Sequence, residues 1–145
     1  MIGLMVLRSA MPGVALAACV MFASPALAET VSFKADLKAS EEVPANDSKG
    51  TGTVTATYDT ASKKLTWKGN YSGLSGPATM AHFHGPAEPG KNAGVAVPIT
   101  PSTSPFENSA NLTDAQAADL MAGRWYVNVH TAAHPGGEIR GRLVK

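Results

Sequence analysis

Cysteine is almost absent from this chain of 145 residues, which contains a single one. If residues 1–28 are removed as a leader, the remaining chain has no cysteine at all, because the only one is Cys19. Disulfide bonds, cysteine nucleophiles and thiolate metal ligands are then excluded for the mature domain. Its stability must come from a packed core or from a bound metal ion.

An excess of charge of either sign is lacking as well. Arg8 is the only charged residue before Glu29, so residues 29–145 carry eleven basic and eleven acidic side chains. A formal net charge of zero gives no reason to expect a nucleic acid or an anionic membrane surface as a partner. A glycine-rich phosphate loop and a nucleophile-elbow motif are also missing. The sequence therefore favours a binding protein over an enzyme, and we assign no catalytic residue.

The sequence also lacks an apolar run long enough to span a membrane. The run at residues 14–23 is too short for a transmembrane helix. It follows Arg8 and precedes ALA at residues 26–28, which fits the small-x-small pattern of a cleavage site. We therefore predict a signal peptide at residues 1–28, and a single secreted or periplasmic domain at residues 29–145.

A lipoprotein cleavage site is a second interpretation of the same segment. Residues 16–19, LAAC, resemble the bacterial lipoprotein box, whose use would leave a lipid on Cys19. The residues after Cys19 stay apolar, whereas a lipoprotein normally begins with a polar tether there. We therefore favour cleavage after Ala28.

Alternating apolar and polar residues predict strands along most of the domain. In residues 31–39, VSFKADLKA, every second side chain is apolar, which is typical of a strand with one buried face. Seven short strands at this spacing favour an all-β fold, namely an antiparallel Greek-key sandwich or small barrel. The other six predicted strands are residues 51–58, 64–71, 79–84, 95–99, 125–130 and 138–144.

One short helix is predicted between the fifth and sixth of these strands. Thr113 and Gln116 form a capping box, and Asp114 suits the N-terminus of a helix. Gly123 suits its C-terminal end.

Polar loops are predicted in between. Residues 85–94 are rich in glycine and proline, and residues 100–111 are polar and irregular. We expect the acidic pair Glu41-Glu42 to lie in a solvated loop.

All four histidines fall into two segments of the chain. His82 and His84 lie in the fourth predicted strand, and His130 and His134 lie at and after the end of the sixth. Side chains two residues apart in a strand share a face. If the alternate, apolar positions face the core, the outer surface of the sheet carries His82, His84, His130, Glu138 and Arg140.

Three imidazoles that converge from two strands are a candidate metal site. Neutral imidazole nitrogens suit copper, zinc or nickel better than calcium or magnesium. We predict His82, His84 and His130 as ligands, with His134 as a fourth ligand or a cover. Glu138 and Arg140 would orient the ligands from behind, or else pair with each other. The alternative is that the histidines are solvated or structural, since a single His-x-His is common on surface strands.

Three segments together resemble the CHRD domain, the chordin-type domain that also occurs as single secreted bacterial proteins. They are FKADLKASEEVP at residues 33–44, AHFHGPA at 81–87 and GRWYVNVHTAAHPGGEIRGRL at 123–143. The resemblance covers nearly all of residues 29–145. It implies a secreted, all-β domain of immunoglobulin-like or Greek-key type, and it implies little about bacterial function.

A weaker resemblance links the His-x-His strand and the later histidine to copper–zinc superoxide dismutase. It would make His82, His84 and His130 copper-type ligands and Arg140 an analogue of an anion-guiding arginine. The chain departs from that pattern, because it has no bridging histidine with an aspartate for a zinc site and no disulfide pair. We therefore expect no efficient dismutase activity.

The sequence thus predicts a secreted or periplasmic β-sandwich that binds a transition metal, copper first and zinc as the alternative. Its role would be metal binding, buffering or delivery. Two other functions stay open. One is an extracellular protein-interaction module with structural histidines, and the other, less favoured, is a copper-dependent redox enzyme.

Overall fold

The computed structural model describes residues 27–145, which form eight β-strands and one α-helix. The helix, α1, spans Asp114–Met121, and a single 3-10 turn spans Ala39–Glu41. The strands are β1 (Thr30–Lys38), β2 (Thr51–Asp59), β3 (Lys64–Ser72), β4 (Ala78–His84), β5 (Val95–Pro98), β6 (Phe106–Asn111), β7 (Tyr126–Thr131) and β8 (Ile139–Arg142). The predicted leader as far as residue 26, with the alternative site at Cys19, lies outside the described residues.

All eight strands belong to one antiparallel sheet in the order β5-β4-β7-β8-β1-β2-β3-β6. Strands β1, β2 and β3 follow one another as a meander, whereas β4–β7 and β8–β1 are neighbours that lie far apart in the chain. The sheet curls over a single core, so that Trp67 of β3 meets Phe83 of β4 across the interior with ring centroids 5.2 Å apart. The predicted all-β antiparallel fold with one helix is confirmed.

The core is built by the alternating residues on the inner face of the sheet. In β1 the burial pattern alternates at every residue, as its sequence predicts. Every strand contributes at least one buried apolar side chain, and α1 contributes Leu120. Each such side chain stabilises the fold by about 1.5–3 kcal/mol when it leaves water.

The helix begins and ends where the sequence predicts. The Thr113 side chain accepts a hydrogen bond from the Gln116 backbone, and the Gln116 side chain accepts one from the Thr113 backbone. Gly123 has φ +72°, a left-handed conformation that glycine adopts without steric cost.

The prediction of a loop at residues 100–111 is wrong for the second half of that segment. Residues 106–111 form β6, which pairs with β3 from Gly69 to Lys64. Phe106 is the one buried residue of this strand, and its ring packs on Gly69, where a side chain would collide with it. A six-residue edge strand with one buried side chain carries almost no alternation, so the sequence pattern does not reveal it.

Candidate metal centre

The three histidines predicted as ligands lie on two neighbouring strands. Strands β4 and β7 pair directly, with His82 opposite Asn128 and Met80 opposite His130. Phe83, between the two histidines of β4, is fully buried in the core. His82, His84 and His130 therefore project from the other face of the sheet, as the alternation predicts.

The imidazole nitrogens converge. His82 Nδ1 and His130 Nε2 are 3.2 Å apart. One nitrogen from each of His82, His84 and His130 lies within 4.8 Å of the others. Metal–nitrogen bonds of 2.0–2.1 Å in trigonal or tetrahedral geometry place ligand nitrogens about 3.3–3.6 Å from one another. The His82–His130 pair, which is a hydrogen bond in this structure, is close to this separation, and the His84 nitrogen lies within 4.8 Å of both.

His130 has its tautomer set by the turn that follows its strand. Its Nδ1 lies 2.9 Å from the Pro135 carbonyl oxygen. A carbonyl only accepts hydrogen bonds, so Nδ1 carries the proton and Nε2 keeps a lone pair. That lone pair accepts a hydrogen bond from His82 Nδ1–H at 3.2 Å. A ring held by a backbone carbonyl in this way is the usual arrangement of a metal-ligating histidine.

His84 lies between two hydrogen-bond acceptors. Its Nδ1 is 3.0 Å from the Ala93 carbonyl oxygen, and its Nε2 is 2.9 Å from Asn128 Oδ1. The amide nitrogen of Asn128 faces the other way, towards the Gly136 carbonyl oxygen at 3.4 Å. A neutral ring has one N–H, so one of its two contacts brings lone pairs together.

Burial favours the neutral form of His82 and His84. Desolvation lowers the pKa of His82, and the nearby His130 and His84 lower it further. Desolvation also lowers the pKa of His84, against hydrogen bonds to Ala93 and Asn128 that raise it. Neutral rings offer the lone pairs that a transition metal requires.

The face that carries the histidines is not the open outer surface that we predicted. His84 is 8% exposed and His130 is 6% exposed, while His82 is half-buried. Loops from four parts of the chain bond to this face through Glu42, Ser75, Asn92 and Pro135. The interpretation of His84 and His130 as solvated residues is therefore wrong, whereas a structural role remains compatible with their burial.

Arg140 supports the centre without touching a histidine. Its guanidinium carbon lies 4.0 Å from the centroid of the Tyr126 ring. Tyr126 also stacks on His84, with ring centroids 4.8 Å apart and an interplanar angle of 6°. Arg140 also donates to Glu42 Oε2 at 3.0 Å and to Asn92 Oδ1 at 2.6 Å. The arginine thus holds Tyr126 and two loops in place around the His84 ring.

Glu138 does not pair with Arg140, so that alternative is wrong. Its fully buried carboxylate accepts hydrogen bonds from Ser48 Oγ at 2.6 Å, Ser75 Oγ at 2.7 Å and Thr131 Oγ1 at 2.5 Å. Burial alone would raise the pKa of Glu138, but these donors and the Ser75 N–H together lower it to about 2. Glu138 therefore ties loops to the sheet rather than orienting a histidine.

His134 lies in the turn after β7 and outside the convergent group. Its N–H donates to the Thr131 carbonyl at 3.1 Å, and its own carbonyl accepts from Gly137 at 3.0 Å. Gly137 has φ +127°, and a Cβ there would collide with the Glu42 carboxylate and lie 2.6 Å from Asn128 Nδ2. The turn thus brings Glu42 and Asn128 close behind the centre.

Sequence reasoning missed two kinds of residue at this centre. Tyr126 and Asn128 lie four and two residues before His130, on the same strand face, so the alternation that placed His130 also locates them. Glu42 was predicted in a solvated loop, but it is 4% exposed and forms an ion pair with Arg140. Burial raises the pKa of Glu42, and Arg140 offsets only part of that effect. No local pattern marks a contact between residues 98 positions apart.

The comparisons with known proteins agree with this architecture. A family model described as the CHRD domain matches residues 33–143, a range that contains every residue of the centre. No curated protein and no solved structure matches the chain. Because the family model covers most of the sequence, the chain belongs to the CHRD domain family.

Proposed function

We propose that this protein binds one transition-metal ion, copper before zinc, through His82, His84 and His130. It acts outside the cytoplasm as a metal-binding, buffering or delivery protein. The observation that carries the proposal is the convergence of three imidazole nitrogens within 4.8 Å of one another. Nitrogen ligands alone suit copper and zinc, and they do not suit calcium or magnesium.

The tautomers support the same conclusion. The Pro135 carbonyl accepts a hydrogen bond from His130 Nδ1–H, which leaves His130 Nε2 as a potential ligand, while Ala93 and Asn128 hold the His84 ring in place. These loop contacts pre-orient the rings, so little side-chain freedom is lost when an ion binds. Preorganisation of this kind favours tight binding.

A location outside the cytoplasm is supported by two points. CHRD domains are typically extracellular. Residues 1–28 have the charge, apolar run and small-residue pattern of a signal peptide. Within residues 27–145, no helix is long and apolar enough to cross a membrane.

The proposal is tested by titrating residues 29–145 with Cu(II), Cu(I) and Zn(II) in competition with a chelator. We expect one tight equivalent of copper. An ion that binds only the native state, at 100 times its dissociation constant, should raise the unfolding free energy by about 2.7 kcal/mol. The double variant His82→Ala/His84→Ala should lose the equivalent.

The matched control is His134→Ala, which removes a histidine of the same segment that lies outside the convergent group. We expect it to bind copper as the wild type does. Unchanged binding by the double variant would overturn the ligand assignment. Loss of binding by the control would show that His134 completes the site.

The second candidate is an extracellular interaction module whose histidines hold loops. The contacts of His84 with Ala93 and of His130 with Pro135 favour it, because each ties a loop to the sheet. It requires that a chelator change neither the stability of the protein nor its binding to a partner. A copper-dependent redox enzyme would instead require the loaded protein to exceed free copper in turnover.

A further inference from the structure

Met80 is an exposed methionine beside the three-histidine centre. Its side chain is 47% exposed, and it is one of four large hydrophobic residues exposed within the described residues. Two of the others, Leu27 and Val144, lie near the ends of that part of the chain. Methionine is flexible and its thioether sulfur is a soft, polarisable atom.

The register places Met80 next to the ligand nitrogens. Met80, His82 and His84 are alternate residues of β4 and so share one face. Met80 is also the direct cross-strand partner of His130. Directly opposed residues have Cβ atoms about 4.5–5.5 Å apart. The long and flexible methionine side chain can therefore bring its sulfur to the gap between His82 Nδ1 and His130 Nε2.

Exposure along β4 shows where an ion would enter. His84 is buried, His82 is half-buried and Met80 is exposed. The centre therefore opens towards the Met80 end of the strand, and the thioether lies at its mouth. An ion that arrives from solvent would meet Met80 before it reaches His84.

The charge around the centre favours a monovalent ion. Two buried carboxylates lie on this side of the sheet. Glu42 forms an ion pair with Arg140, and Glu138 accepts hydrogen bonds from three hydroxyl groups. Neither carboxylate belongs to the convergent group, which among the described residues consists of three histidines, so no carboxylate would ligate a cation held by these rings. Placing a charge in a poorly solvated site is costly, and the cost rises steeply with the charge of the ion.

We propose that Met80 supplies a thioether ligand at the mouth of the three-histidine centre, and that the ion taken there is Cu(I). Soft thioether ligands select Cu(I) over Zn(II) and Cu(II), and the neutral ligand set suits a single positive charge. Because this ligand is exposed, a partner that chelates the ion can reach it, as metal delivery requires. This inference rests on the proposed function, since it assumes that the histidines bind metal.

The test is Met80→Leu, which removes the sulfur and keeps a similar apolar volume. Cu(I) affinity is measured without oxygen by competition with a chromogenic chelator, and Zn(II) affinity is measured in parallel. We expect Cu(I) binding to weaken by at least about tenfold, with Zn(II) binding unchanged. X-ray absorption of the Cu(I) form should show a sulfur ligand in the wild type and none in the variant.

Met121→Leu is the matched control, since Met121 lies on α1 and packs against the core. It should leave Cu(I) affinity and the sulfur signal unchanged, and chemical unfolding checks that both variants fold. Equal Cu(I) affinity in the wild type and Met80→Leu, or equal loss of Cu(I) and Zn(II), would overturn this inference alone. If the wild type binds neither ion, the proposed function itself fails.

Discussion

Two parts of the same sheet differ in how much of their outer face is exposed to solvent. In β1 the side chains alternate between exposed and buried at every residue, whereas all six residues of β7 are buried. The outer face of β1–β2–β3 carries threonines and lysines in contact with solvent. The outer face of β4–β7–β8 carries histidine, asparagine, glutamate and arginine beneath loops. Both faces are polar in sequence, so the covering loops make the difference.

The difference also separates two kinds of electrostatic contact. On the open face, Lys34 and Asp36 form an ion pair with side chains 58% and 68% exposed. On the covered face, Arg140 and Glu42 form one with side chains 7% and 2% exposed. An exposed pair is weak because water solvates both charges, whereas a buried charge depends on its partner.

The largest expected effect comes from breaking the covered pair. Arg140→Leu leaves the Glu42 carboxylate buried without its cation and should lower the unfolding free energy by about 3–5 kcal/mol. Lys34→Leu, its counterpart on the open face, should cost about 0–1 kcal/mol. Urea unfolding at pH 7 measures both.

A double variant sharpens this result. Glu42→Leu with Arg140→Leu removes both charges and should recover much of the lost stability. If Arg140→Leu costs no more than Lys34→Leu, the covered face does not depend on its ion pair. The ion pairs of the two faces would then contribute equally to the unfolding free energy, despite their different burial.

A second effect follows from Glu138, whose pKa is lowered to about 2 from the ordinary value of 4.5 for a glutamate side chain. A carboxylate with a lowered folded-state pKa contributes stability above its unfolded pKa and loses it as pH falls through the folded value. Stability should therefore fall by about 3 kcal/mol between pH 4.5 and pH 2, the size of the pKa difference. Urea unfolding across this range measures the loss.

Glu138→Gln should flatten that dependence, because glutamine does not titrate. Glu107→Gln, on the exposed face of β6, should leave it unchanged. Equal pH profiles for the wild type and Glu138→Gln would show that the hydroxyl donors do not hold the carboxylate ionised.

Asn128 provides a third and smaller test, on metal affinity. Its amide lies between His84 and the Gly136 carbonyl, so it orients the His84 ring. Asn128→Ala should weaken copper binding by about 10–100-fold, the usual cost of losing a residue that orients a ligand. Chelator competition measures this loss.

Asn70→Ala is the control for that experiment, since Asn70 lies on the exposed face of β3. It should leave copper affinity unchanged. An unaffected affinity in Asn128→Ala would mean that the His84 ring is held by Ala93 and Tyr126 alone.

The alternation of residues predicted the fold and the shared face of His82, His84 and His130, because both depend on the period of a strand. It did not predict β6, which has one buried residue. It also assigned the histidine face to solvent, because loop coverage depends on contacts such as Glu42 with Arg140, across 98 residues. Local patterns thus predict which side of a strand a residue occupies, but not what covers that side.

The smallest expected effect is the pH dependence of the metal-free centre. Burial lowers the pKa of His82 and His84 below the ordinary value of 6.5. On acidification, these side chains therefore bind protons at a higher pH in the unfolded chain than in the native protein. Stability from these residues is complete above pH 6.5 and is lost as pH falls through the lowered values. Glu42 has a raised pKa and acts with the opposite sign, losing stability as pH rises through that value.

The histidine contribution is isolated by subtraction. The unfolding free energy of the metal-free wild type between pH 8 and pH 5 is compared with that of His82→Gln/His84→Gln, which keeps Glu42. The wild type should lose more stability on acidification than the variant does. Parallel curves would mean that the two rings titrate in the native state as they do in water. The loops over β4 and β7 would then not separate this face from solvent in the way that distinguishes it from the open face of β1.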